Sequence, residues 1–376
     1  MNRDIGHKVE KLEPLRHIYV HIPFCARICP YCAFYKDRLD RSETERFCAA
    51  ILAEIRQRTT DLAIEPVTIF FGGGTPTSLS TSQLEGLLKG FHQRLDLSRL
   101  QEWTVEANPG SVSPQKADML RDSGITRISL GVQSWDDQLL RVLGREHNAA
   151  QAETSFQIFR KAGFANVSID LMFGLPGQTS LQWRETLEKT LSLNPDHISA
   201  YCLTYEEDTE FFERHARGEL QSSETEEASH FQIAMDALEA AGYEQYEISN
   251  YARPGFASLH NRSYWKGADY LGIGPSAFST IGWERLQNVS DYRGYADRVL
   301  AGESPVGSVE KLTPDNKRSE RIALSLRTRD GLPADLVLGQ KTRELFELGL
   351  LEQQKDRLVL TRRGRAVADS VAETLI

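Results

Sequence analysis

The chain has 376 residues, 44 lysines and arginines against 53 aspartates and glutamates, and a formal net charge of −9. This length favours one large α/β domain or a large domain with a smaller one attached. The acidic balance argues against electrostatic coating of nucleic acid or of an anionic membrane. The start, MNRDIGHKVEKLEPL, has no apolar core, and the chain contains no run of about 18 apolar residues. Neither a secretory signal nor a membrane-spanning helix is predicted, and the expected location is the cytoplasm.

Short runs with strand character alternate with segments of helical periodicity over the first half of the chain. Strand alternating with helix implies right-handed crossovers and a parallel sheet covered by helices. The pattern alone leaves two architectures open, a curved, open six-stranded barrel and a doubly wound sheet. The six candidate strands are HIYVHI (17–22), VTIFF (67–71), EWTVEA (102–107), RISLGV (127–132), VSIDLMF (167–173) and HISAYCLTY (197–205).

The helical segments carry recognisable start signals. Ser80, followed by Gln83, is a candidate capping box before a stripe of leucines. A long helical candidate covers residues 223–243, and aromatic and glycine-rich loops follow it to about residue 290. Beyond Pro305 the pattern predicts helix, helix and a short hairpin, which resembles a small winged-helix unit.

Three of the five cysteines lie in the stretch HIPFCARICPYCAFYK, with the spacing CxxxCxxC directly after the first candidate strand. A structural zinc site would require a fourth protein ligand, whereas an iron–sulfur cluster with three cysteines leaves one iron open. Cys48 lies inside a helical stripe, and His21 lies upstream on the strand, so an open [4Fe–4S] cluster is favoured over zinc. Isolated cysteines usually pack in cores, and that is the prediction for Cys48 and Cys202.

An open iron can bind the amino and carboxylate groups of S-adenosylmethionine, and electron transfer then gives methionine and a 5′-deoxyadenosyl radical. Glycines 72–74 would let the backbone approach the methionine ammonium closely. Glu106 could hold the ribose hydroxyls or the ammonium, and Arg145 could pair with the carboxylate. Each residue alone also fits a structural role, as a tight strand exit, a surface acid or a helix-end cation. Together, behind CxxxCxxC, they favour the cofactor site.

Five stretches resemble the radical S-adenosylmethionine family around oxygen-independent coproporphyrinogen dehydrogenase: YVHIPFCARICPYC, FFGGGTPTSL, VEANPG, GVQSWDDQLLRVLGREH and SIDLMFGLPGQT. The resemblance runs from about residue 17 to the end. It implies an α/β fold, a (β/α)6 partial barrel with a smaller C-terminal, winged-helix-like α+β domain. It implies Cys25, Cys29 and Cys32 as cluster ligands. The cofactor residues that it implies are Tyr19, Tyr31, Gly73, Gly74, Thr75, Glu106, Gln133, Arg145 and Asp170.

Pattern and resemblance together divide the chain into four parts. An N-terminal tail covers residues 1–16, and the barrel with its cluster and cofactor site covers residues 17–245. An extension covers residues 246–300. The C-terminal domain covers residues 301–376.

Two branches of this family differ at positions that this chain shows. The dehydrogenase branch has CxxxCxxCxC and a longer N-terminal arm, whereas here Phe34 occupies the fourth-cysteine position and only 24 residues precede Cys25. Both departures count against coproporphyrinogen oxidation. The other branch, the HemW-type heme chaperones, resembles residues 246–279. One position departs from that branch, because Phe278 stands where histidine is usual.

The centre of that segment, HNRSYW, matches an HNxxYW motif that the resemblance associates with heme. An imidazole can ligate heme iron axially, and aromatic rings can stack on a porphyrin face. A structural interpretation stays open, in which the polar residues make loop hydrogen bonds and the tryptophan packs in the core. The implied heme residues are His260, Asn261, Tyr264 and Trp265.

The resulting hypothesis is a cytoplasmic heme chaperone that holds heme and passes it to client hemoproteins of the respiratory chain. Its cofactors are a [4Fe–4S] cluster, S-adenosylmethionine and heme. Association with the membrane surface and a monomer or heme-linked dimer are expected, and nucleic acid is not, because docking explains Arg362, Arg363 and Arg365 better. The alternatives are an active radical enzyme acting on a tetrapyrrole, similar to the dehydrogenase, and a zinc-stabilised binding module.

Overall fold

Strands and helices alternate along the first half of the computed structural model, which describes residues 13–337 and 339–376. Most of the predicted N-terminal tail therefore lies outside the described residues. The strands are β1 Leu15–Ile22, β2 Phe24–Cys25, β3 Asp37–Arg38, β4 Ile64–Gly73, β5 Glu102–Ala107, β6 Arg127–Gln133, β7 Val167–Phe173, β8 His197–Cys202, β9 Glu244–Glu247, β10 Asn250–Ala252, β11 Leu271–Ile273, β12 Phe278–Ile281, β13 Glu284–Asn288, β14 Val306–Lys311, β15 Leu332–Pro333, β16 Leu351–Gln354 and β17 Arg357–Leu360.

The α-helices follow the capping signals. The predicted capping box at Ser80 and Gln83 is confirmed. The long helix predicted over 223–243 is also confirmed and is capped by Ser223. The helices are α1 Thr44–Asp61, α2 Thr81–Arg94, α3 Pro114–Asp122, α4 Asp137–Val142, α5 Ala149–Lys161, α6 Ser180–Ser192, α7 Glu210–Ala216, α8 Glu224–Ala240, α9 Leu259–Trp265, α10 Tyr292–Leu300, α11 Pro314–Leu326, α12 Gln340–Glu347, α13 Arg362–Arg365 and α14 Ala368–Leu375.

The main sheet has nine strands in the order β11-β1-β4-β5-β6-β7-β8-β10-β9. All six predicted strands are present and adjacent, and every pair from β11 to β8 is parallel. The two strands at the far edge, β10 and β9, are antiparallel. Because the six strands are parallel, the loops that leave them lie along one edge of the sheet.

Alternate residues of the six strands face opposite sides of this sheet. One side is apolar and packs against the helices, with Ile69, Trp103 and Ile128 fully buried. The other side lines a cavity of about 620 Å³, into which β5 contributes Glu106 and β7 contributes Asp170. A parallel sheet with helices on one side and a shared cavity on the other is a curved, open barrel. The second architecture left open by the pattern, a doubly wound sheet, would place helices on both sides.

The segment after β8 adds strands at both edges of the main sheet. Its strand β11 pairs with β1, with Ile18 opposite Leu271. A second, three-stranded sheet has the order β12-β13-β14. Strand β14 lies beyond the predicted boundary at residue 300 yet pairs with β13, which precedes it. The domain boundaries themselves stay a prediction.

The C-terminal unit, residues 312–376, has its own hydrophobic core around Ile322, Leu358 and Val371. It combines α11, α12 and α14 with the sheet β15-β17-β16. Helices that precede a β16–β17 hairpin agree with the predicted winged-helix-like pattern. Among the helices of residues 13–337 and 339–376, none has the length and apolarity that crossing a bilayer requires.

Candidate functional site: a cysteine-lined barrel cavity

The cysteine loop leaves β1 and is closed by a short parallel pair. Strand β2 pairs with β3, so the amide of Asp37 donates to the carbonyl of Pro23 (2.9 Å) and the amide of Leu39 donates to the carbonyl of Cys25 (3.0 Å). These bonds anchor both ends of the loop. All three cysteines are half-buried and line the 620 Å³ cavity, called here the barrel cavity.

Two polar groups contact the cysteine sulfurs. The hydroxyl of Thr75 lies 3.6 Å from Cys25 Sγ, and Arg145 Nη1 donates to Cys29 Sγ at 3.7 Å. Burial raises the pKa of Cys25 to about 11 and also raises the pKa of Cys32. A coordinated thiol is deprotonated, so metal binding here would release protons.

The donor set fits a cluster better than a single ion. In the part of the chain that the structure describes, no three His, Cys, Asp or Glu side chains converge on one metal position. Cysteines that bind a four-iron cluster ligate different irons, so their sulfurs need not converge on one point. Three cysteines around a shared cavity therefore fit a [4Fe–4S] cluster with one open iron, and the zinc alternative lacks a ligand set.

The glycines after β4 bring that strand against the cysteine loop. A Cβ on Gly74 would lie 2.5 Å from the backbone of Pro23, and a Cβ on Gly73 would lie 2.5 Å from the ring of His21. Gly73 also has φ of 105°, a conformation that favours glycine. The amide of Gly74 donates to the carbonyl of Ile22 at 2.8 Å. No other residue type fits this approach without displacing the loop.

Two partly buried carboxyl groups face the cavity. Burial and the neighbouring Asp170 raise the pKa of Glu106 to about 8, although the amide of Gly73 donates to Glu106 Oε2 at 3.2 Å. Burial also raises the pKa of Asp170, which accepts bonds from Ser129 and Ser168. A cation favours the ionised form of a neighbouring acid, so these groups suit a positively charged ligand such as an ammonium.

Arg145 connects the strands to the cysteine loop. Its Nη2 donates to Asn108 Oδ1 and to the carbonyl of Gly131, both at 2.7 Å. Its Nε is buried without a partner in the described residues. A cation with a free, buried donor beside Cys29 could donate to the carboxylate of a ligand bound at the open iron.

Asn108 lines the cavity but was not predicted from the sequence to have a role. It donates to Thr75 Oγ1 at 2.8 Å and accepts from Arg145, so it joins the two groups that contact cysteine sulfurs. Its only sequence signal is its place in EANPG, directly after β5.

Gln133, which was predicted to bind the cofactor, lies at an irregular end of β6 and has φ of 71°. Such backbone strain in a residue other than glycine is concentrated at functional sites.

Eight of the nine residues predicted to bind S-adenosylmethionine line the barrel cavity. Tyr19 does not line it. Its hydroxyl lies 2.9 Å from His21 Nδ1, and its ring stacks on Phe70. Phe34, at the fourth-cysteine position, is 70% exposed at the cavity mouth. The individual roles stay predictions.

The HNRSYW motif forms the short helix α9 at the opposite end of the barrel. The carboxylate of Glu102, the first residue of β5, accepts from the hydroxyl of Ser258 (3.1 Å) and from the amides of Leu259 and His260 (both 2.9 Å). Because β5 begins at Glu102, α9 lies at the amino ends of the strands. Ser258 and Asn261 line the same cavity as the cysteines. The two motifs therefore bound one cavity from its two ends.

The structure separates the four candidate heme residues. Asn261 faces the barrel cavity. His260 packs against Phe70, its Nδ1 lies 2.8 Å from Thr68 Oγ1, and burial lowers its pKa to about 3. Tyr264 is 45% exposed, and Trp265 lies under the guanidinium of Arg327.

His260 has the chemistry of a metal ligand. Neutral imidazole is the form that binds metal, and a depressed pKa keeps it neutral. In the tautomer in which Nδ1–H donates to Thr68 Oγ1, the lone pair of Nε2 is free, an arrangement common at metal-binding histidines.

Phe278 and the arginine cluster occupy peripheral positions. Phe278 begins β12 and is 43% exposed. Arg362 contacts Asp236 and Glu239 of α8, and Arg365 donates to Gln245. These contacts, with the 3.9 Å ion pair between Arg365 and Glu239, give Arg362 and Arg365 a role in packing the C-terminal unit against α8 and β9.

Comparisons with known proteins agree with this geometry. Residues 19–190 match the radical SAM superfamily, and residues 312–367 match the HemN C-terminal domain. The chain is 35% identical to "Heme chaperone HemW" of Bacillus subtilis, over 95% of this chain and 98% of the relative. It is 33% identical to "Heme chaperone HemW" of Escherichia coli, over 97% of this chain and 99% of the relative.

A solved structure shows the same fold. Coproporphyrinogen III oxidase (HemN) from Escherichia coli, described as a radical SAM enzyme, superposes with a TM-score of 0.82. The match covers 96% of this chain and 90% of that chain at 24% identity. At this identity the likeness concerns the fold alone.

Proposed function

Because this chain belongs to the HemW family of heme chaperones, we propose that it binds heme and passes it to client hemoproteins. The scaffold is a radical SAM partial barrel, which in this superfamily holds a [4Fe–4S] cluster and S-adenosylmethionine. Within it, we assign the cluster to Cys25, Cys29 and Cys32. From the family resemblance we further propose that the clients belong to the respiratory chain and that the protein is cytoplasmic and associates with the membrane surface. We also propose that it is a monomer or a heme-linked dimer.

The observation that carries the heme assignment is the environment of His260. Its imidazole is kept neutral by burial, and its Nδ1 is bonded to Thr68. Thr68 also lies 2.9 Å from Nδ1 of His17, so a chain of three side chains fixes the ring. A fixed, neutral imidazole beside the cavity-lining Asn261 supports an axial role for His260 and a contact role for Asn261. Heme contacts by Tyr264 and Trp265, which do not line that cavity, rest on the motif alone.

A hemin titration followed by Soret absorbance tests this proposal. We expect stoichiometric binding by the wild type and at least tenfold weaker binding by His260→Ala. The matched control is His92→Ala, because His92 is an exposed histidine on α2, outside the barrel cavity, whose ring packs on Trp103 and whose Nε2 lies 2.9 Å from the carbonyl of Ser123. If the wild type bound hemin no better than an unrelated protein, the proposed heme function would be wrong. Equal affinities for the two variants would remove His260 as the ligand.

Radical chemistry on a tetrapyrrole is a second candidate, favoured by the eight predicted cofactor residues around the barrel cavity. The exposed Phe34 in place of a fourth cysteine counts against coproporphyrinogen oxidation. The same preparation can be assayed anaerobically with reconstituted cluster, reductant and coproporphyrinogen III. We expect no protoporphyrinogen; its formation at useful rates would favour the enzyme. Whether 5′-deoxyadenosine accumulates shows whether any radical chemistry occurs.

A further inference from the structure

A second large cavity lies where α9 meets the C-terminal unit. This basic groove has a volume of about 590 Å³. Its walls come from the end of α9, from α11 with the loop that follows it, and from the β16–β17 hairpin. Five cationic side chains and two carboxylates line it: Lys266, Arg321, Arg329, Lys355 and Arg357 against Asp330 and Asp356.

Four of these cations have no acidic partner among the described residues. Lys266, Arg321 and Lys355 form no ion pair within residues 13–337 and 339–376, whereas Arg329 pairs with Glu244. Arg357 donates only to backbone carbonyls. In a chain with a net charge of −9, a groove with unpaired cations attracts an anion.

An aromatic side chain adds a second feature that points to a ligand. Trp265, the last residue of HNRSYW, lines the groove, and its indole Nε1 is buried without a hydrogen-bond partner in the described chain.

We propose that the basic groove docks a porphyrin through its carboxylates, with Trp265 as the apolar contact. The inference rests on the proposed heme function and adds a second position to it. A volume of 590 Å³ lies in the range of sites for compact organic ligands, and Trp265 belongs to the heme-motif helix. Both features favour a porphyrin over a nucleic acid. Among the described residues that line the groove there is no His, Cys, Met or Tyr. The iron of a heme bound in the groove would therefore gain no axial ligand of these types.

Docking without an iron ligand has a functional consequence. Such a site holds iron-loaded and iron-free porphyrin alike and releases both readily, because carboxylate pairing near the surface is weaker than axial ligation. His260 contacts the barrel interior through Phe70 and Thr68, so it does not belong to the groove. The groove is therefore suited to the step in which a porphyrin is received or handed on, while His260 serves the step in which iron is held.

Binding of iron-free protoporphyrin IX to the full-length, cluster-loaded protein tests the groove separately from His260. Fluorescence anisotropy at porphyrin concentrations below self-association gives the affinity. We expect the double variant Arg321→Glu, Lys355→Glu to bind at least tenfold more weakly. We expect His260→Ala to stay within twofold of the wild type. Protoporphyrin dimethyl ester, which lacks free carboxylates, should bind the wild type at least tenfold more weakly than the diacid.

The matched control is Arg56→Glu, Lys161→Glu, which makes the same charge change at two exposed residues without ion pairs in the described structure. Thermal melts verify that both double variants are folded. If the two double variants bound porphyrin with equal affinity, or if the wild type bound the diacid and the ester equally, the proposed porphyrin docking in the groove would be wrong. Binding of duplex DNA is measured on the same proteins. If the Arg321→Glu, Lys355→Glu variant lost DNA binding but kept the wild-type affinity for porphyrin, the proposal would also be overturned. Hemin binding that depends on His260 would leave the proposed function intact in each of these outcomes.

Discussion

Gly74 allows the end of β4 to lie directly against the cysteine loop. Gly74→Ala would place a Cβ 2.5 Å from the carbonyl carbon and oxygen of Pro23, two residues before Cys25. Backbone cannot rotate away as a side chain can, so we expect a loss of about 1 to 3 kcal/mol in the free energy of unfolding. We also expect less iron per chain after anaerobic reconstitution. Chemical denaturation and iron analysis measure the two effects.

Gly86 provides the control for that substitution. It lies on the exposed side of α2, and a Cβ there meets nothing within 4 Å. Gly86→Ala should stabilise the protein by about 0.5 to 1 kcal/mol, because alanine is favoured over glycine inside a helix. Iron content should not change. If both substitutions reduced iron equally, the close approach at Gly74 would not be what positions the cysteines.

Single residues were predictable where their chemistry is local. The cysteine spacing and the glycines after β4 are readable because sequence neighbours become spatial neighbours there. Asn108 was not assigned a role, because its partners Thr75 and Arg145 come from other loops. The free indole of Trp265 was equally out of reach, since the basic groove needs the C-terminal unit to be placed first.

At the scale of elements, α9 depends on a residue far from it in sequence. A helix of seven residues is marginal by itself, and the carboxylate of Glu102 satisfies two of its first amides. Glu102→Ala should lower the free energy of unfolding by about 2 to 3 kcal/mol, because it leaves these buried donors unpaired. Hemin affinity should fall as well, because the amide of His260 is one of the donors. Denaturant unfolding and hemin titration measure the two changes.

Glu65→Ala is the matched control, since Glu65 also lies on a strand and its partner is the exposed Arg99 at 3.4 Å. An exposed pair contributes about 0 to 1 kcal/mol. Glu102→Gln, which keeps an acceptor oxygen, should fall between the two alanine variants. A Glu102→Ala protein no less stable than Glu65→Ala would mean that α9 is held by its packing alone.

The elements themselves followed from local periodicity, and their pairing followed from the rule that βα units form parallel sheets. All six strands predicted from residue patterns are adjacent in the sheet. The position of α9 could not be predicted, because its capping acid lies 158 residues before His260. The short strand β11 was missed for the same reason: three residues give no periodic signal, and its pairing with β1 decides its structure.

At the scale of the whole molecule, ion pairs join the C-terminal unit to α8. Arg362 contacts both Asp236 and Glu239. Arg362→Glu would place a third carboxylate there, and we expect a loss of about 1 kcal/mol from like-charge repulsion. Amide exchange over residues 236–245 should become faster. Adding Asp236→Arg restores an opposite-charge contact and should recover at least half of both effects.

Arg363→Glu separates this pairing from a general charge effect. Arg363 is adjacent to Arg362 but contacts only the carbonyl of Leu348, at 3.3 Å. Its substitution should leave exchange over 236–245 unchanged. Faster exchange in both single variants, without rescue by Asp236→Arg, would show that net charge and not the α8 contact controls the docking.

The pairing of β11 with β1 bears on how such a chain can evolve. Strand β1 leads into the cysteine loop, and β11 follows the heme-motif helix by only a few residues. Removing or exchanging the segment after β8 would therefore leave β1 as an open edge, with unpaired backbone groups beside the cluster loop. A segment joined to the sheet in this way is not an interchangeable module. The two segments are expected to be inherited, duplicated or lost together.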